Sequence, residues 1–144
     1  MDLASVIIEV KNNLQGKADA SGVIVDCEME SVMVSADGHM IFELVYNLLD
    51  NAIKYNKQGG HVKITVGIKD KKAQIIVSDT GIGIPKEHLD RVFERFYRVD
   101  KSHSKQTGGT GLGLSIVKHI AAYHNGIIEI ESKEGIGTTI KVEI

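Results

Sequence analysis

The stretch from about Gly38 to Asn56 constrains the chain most, because it predicts one helix with two different faces. Its apolar residues recur at three- and four-residue spacing and predict a buried stripe; they are Ile41, Leu44, Val45, Leu48, Leu49 and Ala52. Its polar residues form a second stripe, which consists of Glu43, Asn47, Asp50, Asn51 and Lys54. A helix with one long apolar stripe has to pack against another layer, so the rest of the chain is expected to fold around it.

The two asparagines of the polar stripe are unusual in a helix interior. Asn costs about 0.5 kcal/mol relative to Ala there, and a solvated face is built more cheaply from Glu and Lys. Asn47 and Asn51 lie one turn apart, and Lys54 follows, so two amide oxygens stand beside an ammonium. Such oxygens suit Mg2+, which keeps water and phosphate in the rest of its shell. Surface or capping asparagines would give the same pattern.

Size and composition indicate one ordinary globular domain. The 144 residues are enough for a core, and a formal net charge of −2 gives no general attraction to nucleic acid or to an anionic membrane. Cys27 is the only cysteine, so an internal disulfide is excluded, and no apolar run reaches the roughly 20 residues that a membrane helix needs. A helix that begins almost at residue 1 hints that the chain was cut from a longer protein.

The remaining periodicities predict two more long helices and several strands. Helices are predicted over residues 3–20 and from Gly111 to Asn125, the latter with Gly126 as its C-cap, and a short helix around Lys86–Val92. Strands are predicted over residues 23–27, 32–34, 61–68, 73–78, 127–131 and 138–144, and a loop from Phe93 to Thr110. Because there is no βαβ repeat, we predict an α+β fold. It is a two-layer sandwich, with a mixed sheet of about five strands and three main helices on one face.

A glycine-rich segment, Gly108 to Gly113, opens the last predicted helix. Its glycines would let the backbone approach a ligand, and the helix start offers free N–H groups and the positive end of the dipole, which suits phosphate. The segment lacks both the preceding apolar strand of a dinucleotide fingerprint and the Lys-Ser/Thr pair of a P-loop. A flexible connection to a helix is the simpler alternative.

A second glycine cluster follows a predicted strand at Asp79-Thr80-Gly81-Ile82-Gly83. A carboxylate there could accept a hydrogen bond from the amino group of adenine while the glycines let the flat base approach the backbone. An Asx-turn at a strand exit is the alternative, and Gly135-Ile136-Gly137-Thr138 also fits a plain hairpin. Within 70 residues the chain thus combines a possible metal face, an adenine acceptor and a phosphate cradle.

Five segments in order resemble the motifs of the catalytic ATP-binding domain of bacterial sensor histidine kinases. That domain has the Bergerat-type fold, which type II topoisomerases, heat-shock chaperone ATPases and mismatch-repair ATPases share. The resemblance covers nearly the whole chain. The matching segments are Asn47–Tyr55 (N box), Asp79–Gly83 (G1 box), Phe93–Arg98 (F box), Gly109–Leu114 (G2 box) and Gly135–Thr138 (the last glycine motif).

The resemblance implies which residues bind Mg-ATP. It implies Asn51 and Asn47 as Mg2+ ligands, Lys54 as a phosphate ligand and Asp79 as the acceptor for adenine. Around the adenine it implies Tyr55, Gly81, Gly83, Ile84 and Thr138. Residues from about 94 to 109 would form a lid with positive charge from Arg98 and Lys101, and backbone N–H groups for the phosphates would come from Gly109, Thr110, Gly111, Leu112 and Gly113. Catalytic roles would fall to Asn47, Lys54 and Arg98.

Two departures from the full kinase pattern limit what the chain could do alone. None of its six histidines stands in the Ser/Thr-His-Glu/Asp context of the family's phosphoacceptor. Residues 1–144 are therefore predicted to be a single catalytic domain without the dimerisation hairpin. Asn47 also stands where the ATP-hydrolysing relatives carry a catalytic Glu, and an amide cannot act as a general base, so fast ATP hydrolysis is not expected.

The resemblance therefore implies a domain that donates the γ-phosphoryl of Mg-ATP to a histidine on a separate dimerisation domain. The response regulator would be an indirect partner, with no nucleic acid and no direct membrane contact. The chain would be a monomer in isolation and a cytoplasmic part of a membrane-anchored bacterial parent. Two alternatives stay open: a nucleotide-sensing module without transfer activity, and an anti-sigma-type serine kinase of the same fold.

Overall fold

The computed structural model describes residues 1–97 and 113–144. Within them the chain forms three α-helices, five strands and one 3-10 turn at Lys86–His88. In chain order the elements are α1 (Leu3–Ser21), β1 (Ile24–Met29), α2 (Gly38–Lys54), β2 (His61–Lys69), β3 (Lys72–Asp79), α3 (Gly113–Tyr123), β4 (Ile127–Lys133) and β5 (Gly137–Glu143). The predicted third helix is thus observed from Gly113, and its first two predicted residues lie outside the described part of the chain.

The five strands form one mixed sheet in the order β1-β2-β3-β5-β4. β1 runs parallel to β2, and the other neighbours are antiparallel. Because side chains alternate across a strand, β2 buries Val62, Ile64 and Val66 on one face and leaves Lys63 exposed on the other. The helices cover the buried face, so the predicted α+β two-layer sandwich is confirmed.

Helix α2 lies between α1 and α3 and packs against both. Its apolar stripe is fully buried, as the periodicity predicts. The side chain of Asp37 caps the helix start by accepting the Met40 N–H at 3.1 Å. Burying each Leu or Ile of such a stripe contributes about 1.5–3 kcal/mol. α2 is therefore fixed from three sides, and its polar stripe is held at a defined place beside the start of α3.

The prediction of a strand at residues 32–34 is wrong. Met33 forms only an isolated bridge with Asp2, and the Val34 N–H donates to the Met1 carbonyl at 2.9 Å. The residues in front of α1 take up these hydrogen bonds, so the segment pairs with the chain start and does not join the sheet.

Two further differences from prediction concern the short helix after β3 and the end of α3. The short helix predicted around Lys86–Val92 is helical only at Lys86–His88. At the end of α3 the left-handed residue is Asn125, with φ of 56°, while the Gly126 N–H closes the helix by donating to the Ala121 carbonyl at 2.7 Å. Position 126 still favours glycine, because a Cβ there would lie 2.3 Å from the Glu143 carbonyl oxygen.

Within the described residues, no helix combines the length and the apolar character that crossing a bilayer requires.

Candidate functional site

Three segments meet at one place: the C-terminal end of α2, the turn after β3 and the hairpin between β4 and β5. The turn that follows β3 lies between the end of α2 and the hairpin that joins β4 to β5. On one side the Ile82 N–H donates to the Tyr55 carbonyl at 3.0 Å, and on the other the Gly135 N–H donates to the Ile82 carbonyl at 2.7 Å. The G1-like turn and the last glycine motif are therefore brought together with the end of the N-box-like helix.

Asp79 ends β3 and faces this junction. Its Oδ1 accepts the backbone N–H of Gly81 at 2.9 Å and that of Thr138 at 3.3 Å. Burial raises the pKa of the Asp79 carboxyl above its ordinary value, and the two backbone hydrogen bonds oppose that rise. Both of these hydrogen bonds go to Oδ1, and the described part of the chain gives Oδ2 no donor.

The glycines of the junction are needed for close packing of the backbone. A Cβ on Gly81 would lie 2.4 Å from the Tyr55 carbonyl oxygen, and one on Gly83, whose φ is +70°, would lie 2.1 Å from the Lys133 carbonyl oxygen. At Gly137 the corresponding distance to the Asp79 carbonyl oxygen is 2.0 Å. The sequence motif suggests that Gly81 and Gly83 give access to a ligand, and the structure adds this packing requirement.

Ser132 is a site residue that the sequence analysis missed. Its Oγ accepts the Ile84 N–H at 2.7 Å, lies 2.7 Å from Thr138 Oγ1 and donates to the Gly137 carbonyl at 3.1 Å. Ser132 thus ties the turn after β3 to both strands of the last hairpin. The signal was present, because Ser132 continues the inward alternation of Ile128 and Ile130, but the strand was predicted to end one residue earlier.

The two asparagines of α2 converge on the start of α3. The Asn47 side-chain amide donates to the Glu43 carbonyl at 2.8 Å, so its Oδ1 points the other way. A Cβ on Gly113 would lie 3.4 Å from Asn47 Oδ1 and 3.3 Å from Asn51 Oδ1. The first described residue of the G2-like segment therefore faces two amide oxygens.

Lys54 pairs with a carboxylate of its own helix. Its Nζ lies 3.0 Å from Asp50 Oδ2, and Lys17 of α1 reaches Asp50 Oδ1 at 3.4 Å. The sequence analysis placed Asp50 on the polar stripe, but the residue is only 7% exposed. Neither Asp50 nor Lys17 was predicted to have a functional role, because three- and four-residue spacing does not tell which polar residue of α2 faces α1.

Of the remaining predicted residues, some are described by the structure and the others lie outside its described part. Tyr55 is the C-cap of α2, and its backbone contacts the turn after β3, as described above. Of the F-box-like segment, Phe96 is exposed and the Tyr97 hydroxyl hydrogen-bonds the His88 ring. The predicted site residues that lie outside the described residues are Arg98, Lys101, Gly109, Thr110, Gly111 and Leu112.

This chain is similar to known proteins both in sequence and in structure. Residues 36–144 match the family described as histidine kinase-, DNA gyrase B- and HSP90-like ATPase. The sensor-like histidine kinase SenX3 of Mycolicibacterium smegmatis is 41% identical over 145 residues, which cover 100% of this chain and 38% of that protein. The sensor histidine kinase YkoH of Bacillus subtilis is 42% identical over 121 residues, which cover 84% of this chain and 26% of that protein. The chain thus spans well under half the length of these relatives.

Solved structures agree with this grouping. The catalytic domain of histidine kinase ThkA superposes with a TM-score of 0.86 at 30% identity, covering 100% of this chain and 92% of that one. The mycobacterial sensor histidine kinase MprB superposes with a TM-score of 0.88 at 27% identity, and the match covers 100% of this chain and 95% of that one. Full-length ShkA in complex with AMPPNP superposes with a TM-score of 0.83 at 25% identity, and the match covers 99% of this chain and 30% of that one. The chain therefore belongs to the histidine kinase-, DNA gyrase B- and HSP90-like ATPase family, as an ATP-binding catalytic domain of the sensor histidine kinase type.

Proposed function

We propose that this domain binds Mg-ATP between α2, the turn after β3 and the start of α3, and donates the γ-phosphoryl to a histidine on a separate dimerisation domain. The observation that carries the proposal is the position of α2. Its polar stripe presents two amide oxygens to Gly113, and its C-cap residue Tyr55 contacts the turn that follows Asp79. A single ligand with a base at one end and phosphates at the other fits that arrangement.

The base would lie at Asp79. The described hydrogen bonds leave Oδ2 of its carboxylate to accept from the amino group of adenine. The rest of this pocket would be formed by Tyr55, Gly81, Gly83, Ile84 and Thr138. Ser132 hydrogen-bonds both Ile84 and Thr138, and the N–H groups of Gly81 and Thr138 share Asp79 Oδ1. A likeness to ShkA, whose structure contains AMPPNP, supports an adenine nucleotide as the ligand.

The metal would lie at Asn47 and Asn51. Two neutral amide oxygens that converge on one point are ligands that Mg2+ accepts while it keeps phosphate oxygens and water in its shell. Among the residues described, no group of three or more carboxylate, imidazole or thiol side chains is arranged to hold a metal. When bound, Mg2+ would neutralise charge on the phosphates.

The chemistry asks little of this chain beyond position and charge. Phosphoryl transfer is promoted mainly by alignment and by cations near the phosphates. We assign catalytic roles to Asn47, Lys54 and Arg98, further positive charge to Lys101, and phosphate-binding N–H groups to Gly109, Thr110, Gly111, Leu112 and Gly113. Because Asn47 is an amide, this chain has no general base there to activate water, so the attacking group would come from the partner histidine.

The partner and the setting follow the same reasoning. The relatives are sensor kinases more than twice as long as the matched region, which supports a parent with a histidine-bearing dimerisation domain, a response regulator downstream and a membrane anchor elsewhere. We propose that residues 1–144 form one cytoplasmic catalytic domain. In isolation it would be monomeric.

Two measurements test the proposal. Calorimetry with AMPPNP should show binding that strengthens with Mg2+. Mixing the domain with the histidine-bearing hairpin of its parent and γ-labelled ATP should label the hairpin with acid-labile phosphate. Acid-stable label would point to a serine kinase, and nucleotide binding without any label would point to a nucleotide-sensing module.

A further inference from the structure

The Lys54 ammonium is engaged inside the protein in this structure. It lies 3.0 Å from Asp50 Oδ2, one turn earlier on α2, and its side chain is 26% exposed. The proposed function requires the same ammonium at a phosphate. Lys54 would then have to leave or share Asp50, and what happens to Asp50 decides how readily it can.

Asp50 cannot be left without a cation at low cost. It is the charged residue that the described part of the chain buries, with 7% exposure. Removing one partner of a buried ion pair is strongly destabilising, because the remaining charge is neither solvated nor compensated. If Lys54 were the sole partner, Asp50 would hold it back from a nucleotide.

A second cation is already in place on another helix. Lys17 of α1 lies 3.4 Å from Asp50 Oδ1, while Lys54 uses Oδ2. The Asp50 charge is the largest of the influences that raise the pKa of Lys17, and partial burial opposes it. The Lys17 ammonium also lies 6.0 Å from the centre of the Tyr46 ring. Two ammonium groups thus share one carboxylate, each on a different oxygen.

We propose that Asp50 holds the Lys54 ammonium and that Lys17 is the replacement counter-ion that lets Lys54 move to a nucleotide phosphate. This inference rests on the proposed function and deepens it. Lys17 and Asp50 are positioning residues, because they act on the nucleotide through Lys54. Nucleotide affinity accordingly depends on a lysine of α1 that belongs to none of the predicted ligands.

The first test is Lys17→Met, measured as AMPPNP affinity by calorimetry with excess Mg2+. Without Lys17, movement of Lys54 would leave Asp50 uncompensated, so the affinity should fall by about five- to tenfold, or roughly 1–1.4 kcal/mol. The loss should not exceed that of Lys54→Met, which removes the moving group itself. Lys11→Met, on the same helix and with the same change of charge, is the control and should change the affinity by less than about twofold.

Two double-mutant cycles identify the route of the effect. Asp50→Asn should release Lys54 and raise the affinity severalfold, and Lys17→Met should then have no effect in the Asp50→Asn background. Lys17→Met should also have no effect in the Lys54→Met background. This second cycle does not require Asp50→Asn to fold, and thermal unfolding of each variant checks that it is native.

Each contrary result overturns the inference. An unchanged affinity in Lys17→Met would show that Lys54 does not need a replacement. A lower affinity in Asp50→Asn would show that Asp50 does not restrain Lys54. An equal loss from Lys17→Met in the presence and absence of Asp50 would mean that Lys17 acts on the nucleotide directly. If the unaltered chain bound no AMPPNP, the proposed function would fail as well, whereas the other three results leave it standing.

Discussion

Asp79 and Thr138 are register partners across β3 and β5, and the Thr138 N–H donates to Asp79 Oδ1 at 3.3 Å. The carboxylate is therefore aimed by a strand that arrives almost 60 residues later in the chain. Gly81 supplies the second N–H from the following turn. The orientation of this carboxylate therefore depends on the fold as a whole.

Asp79→Asn should greatly weaken nucleotide binding while leaving the fold intact. The asparagine can keep an oxygen toward Gly81 and Thr138, which would direct its amide N–H groups at the amino group of adenine. The loss of a charged acceptor and the clash of donors should together cost about 3 kcal/mol or more, which is beyond a hundredfold in affinity. Calorimetry with AMPPNP measures it, and wild-type affinity in this variant would reject Asp79 as the adenine acceptor.

The same variant should be at least as stable as the wild type near neutral pH. Burial raises the folded-state pKa of Asp79 above its ordinary value of 3.8, so in the window between those two pKa values the folded protein binds more protons than the unfolded one. Wild-type stability relative to Asp79→Asn should thus fall as pH rises through that window and stay constant above it. Urea unfolding of both proteins at several pH values measures the difference, and the opposite slope would contradict the assignment.

Ser132→Ala should weaken both stability and nucleotide affinity. The change leaves the Ile84 N–H without its acceptor and breaks the contact with Thr138, which should cost about 1–2 kcal/mol of unfolding free energy. Ser78→Ala is a matched control, because Ser78 pairs with Thr139 at 2.9 Å on the other face of the sheet. We expect the control to leave AMPPNP affinity unchanged, and equal losses of affinity in the two variants would remove Ser132 from the site.

Gly83→Ala should destabilise the protein far more than Gly135→Ala. Both glycines have positive φ, +70° and +81°, so both substitutions carry a backbone cost of about 1 kcal/mol. Only at Gly83 would the new Cβ meet backbone, 2.1 Å from the Lys133 carbonyl oxygen, whereas nothing lies within 4 Å at Gly135. Thermal unfolding of the two variants should therefore differ by at least about 2 kcal/mol, and similar melting temperatures would argue against the close packing.

Asn51→Asp should change how nucleotide affinity depends on Mg2+. A carboxylate binds the cation more strongly but repels phosphate when the cation is scarce. We expect the variant to bind AMPPNP more weakly than wild type at low Mg2+ and to recover as Mg2+ rises. Asn13→Asp is the control, because it makes the same change of charge on an exposed helical asparagine of α1, whose amide donates to the Glu9 carbonyl at 2.8 Å. Identical Mg2+ titrations for Asn51→Asp and wild type would exclude Asn51 as a ligand.

Local patterns predicted the layer structure because periodicity reports burial directly. The apolar stripe of α2 and the alternation of β2 and β3 were sufficient for the α+β sandwich. The segment at Val32–Val34 was misassigned because three apolar residues cannot indicate whether they pair with a sheet or with the chain start. The αL position of Asn125 was missed because the adjacent Gly126 is the more common helix terminator.

The contacts that define the site came from tertiary structure and could not be obtained from spacing. Asp50 and Asn51 are adjacent on the polar stripe, but one is buried against Lys17 and the other faces Gly113. Ser132 needs the β4–β5 register to come beside Thr138. The motif resemblance predicts which residues would meet a ligand, whereas the residues that orient them have no motif of their own.

The carbonyl oxygens of Tyr55, Lys133 and Asp79 stand where side chains would otherwise project from Gly81, Gly83 and Gly137. In the proposed function these residues surround the adenine, so the width of that proposed pocket would be set by main chain. Substitutions elsewhere can alter its polarity but have little room to narrow it. A competitive inhibitor whose contacts are made to this backbone would leave the protein few single-residue routes to resistance.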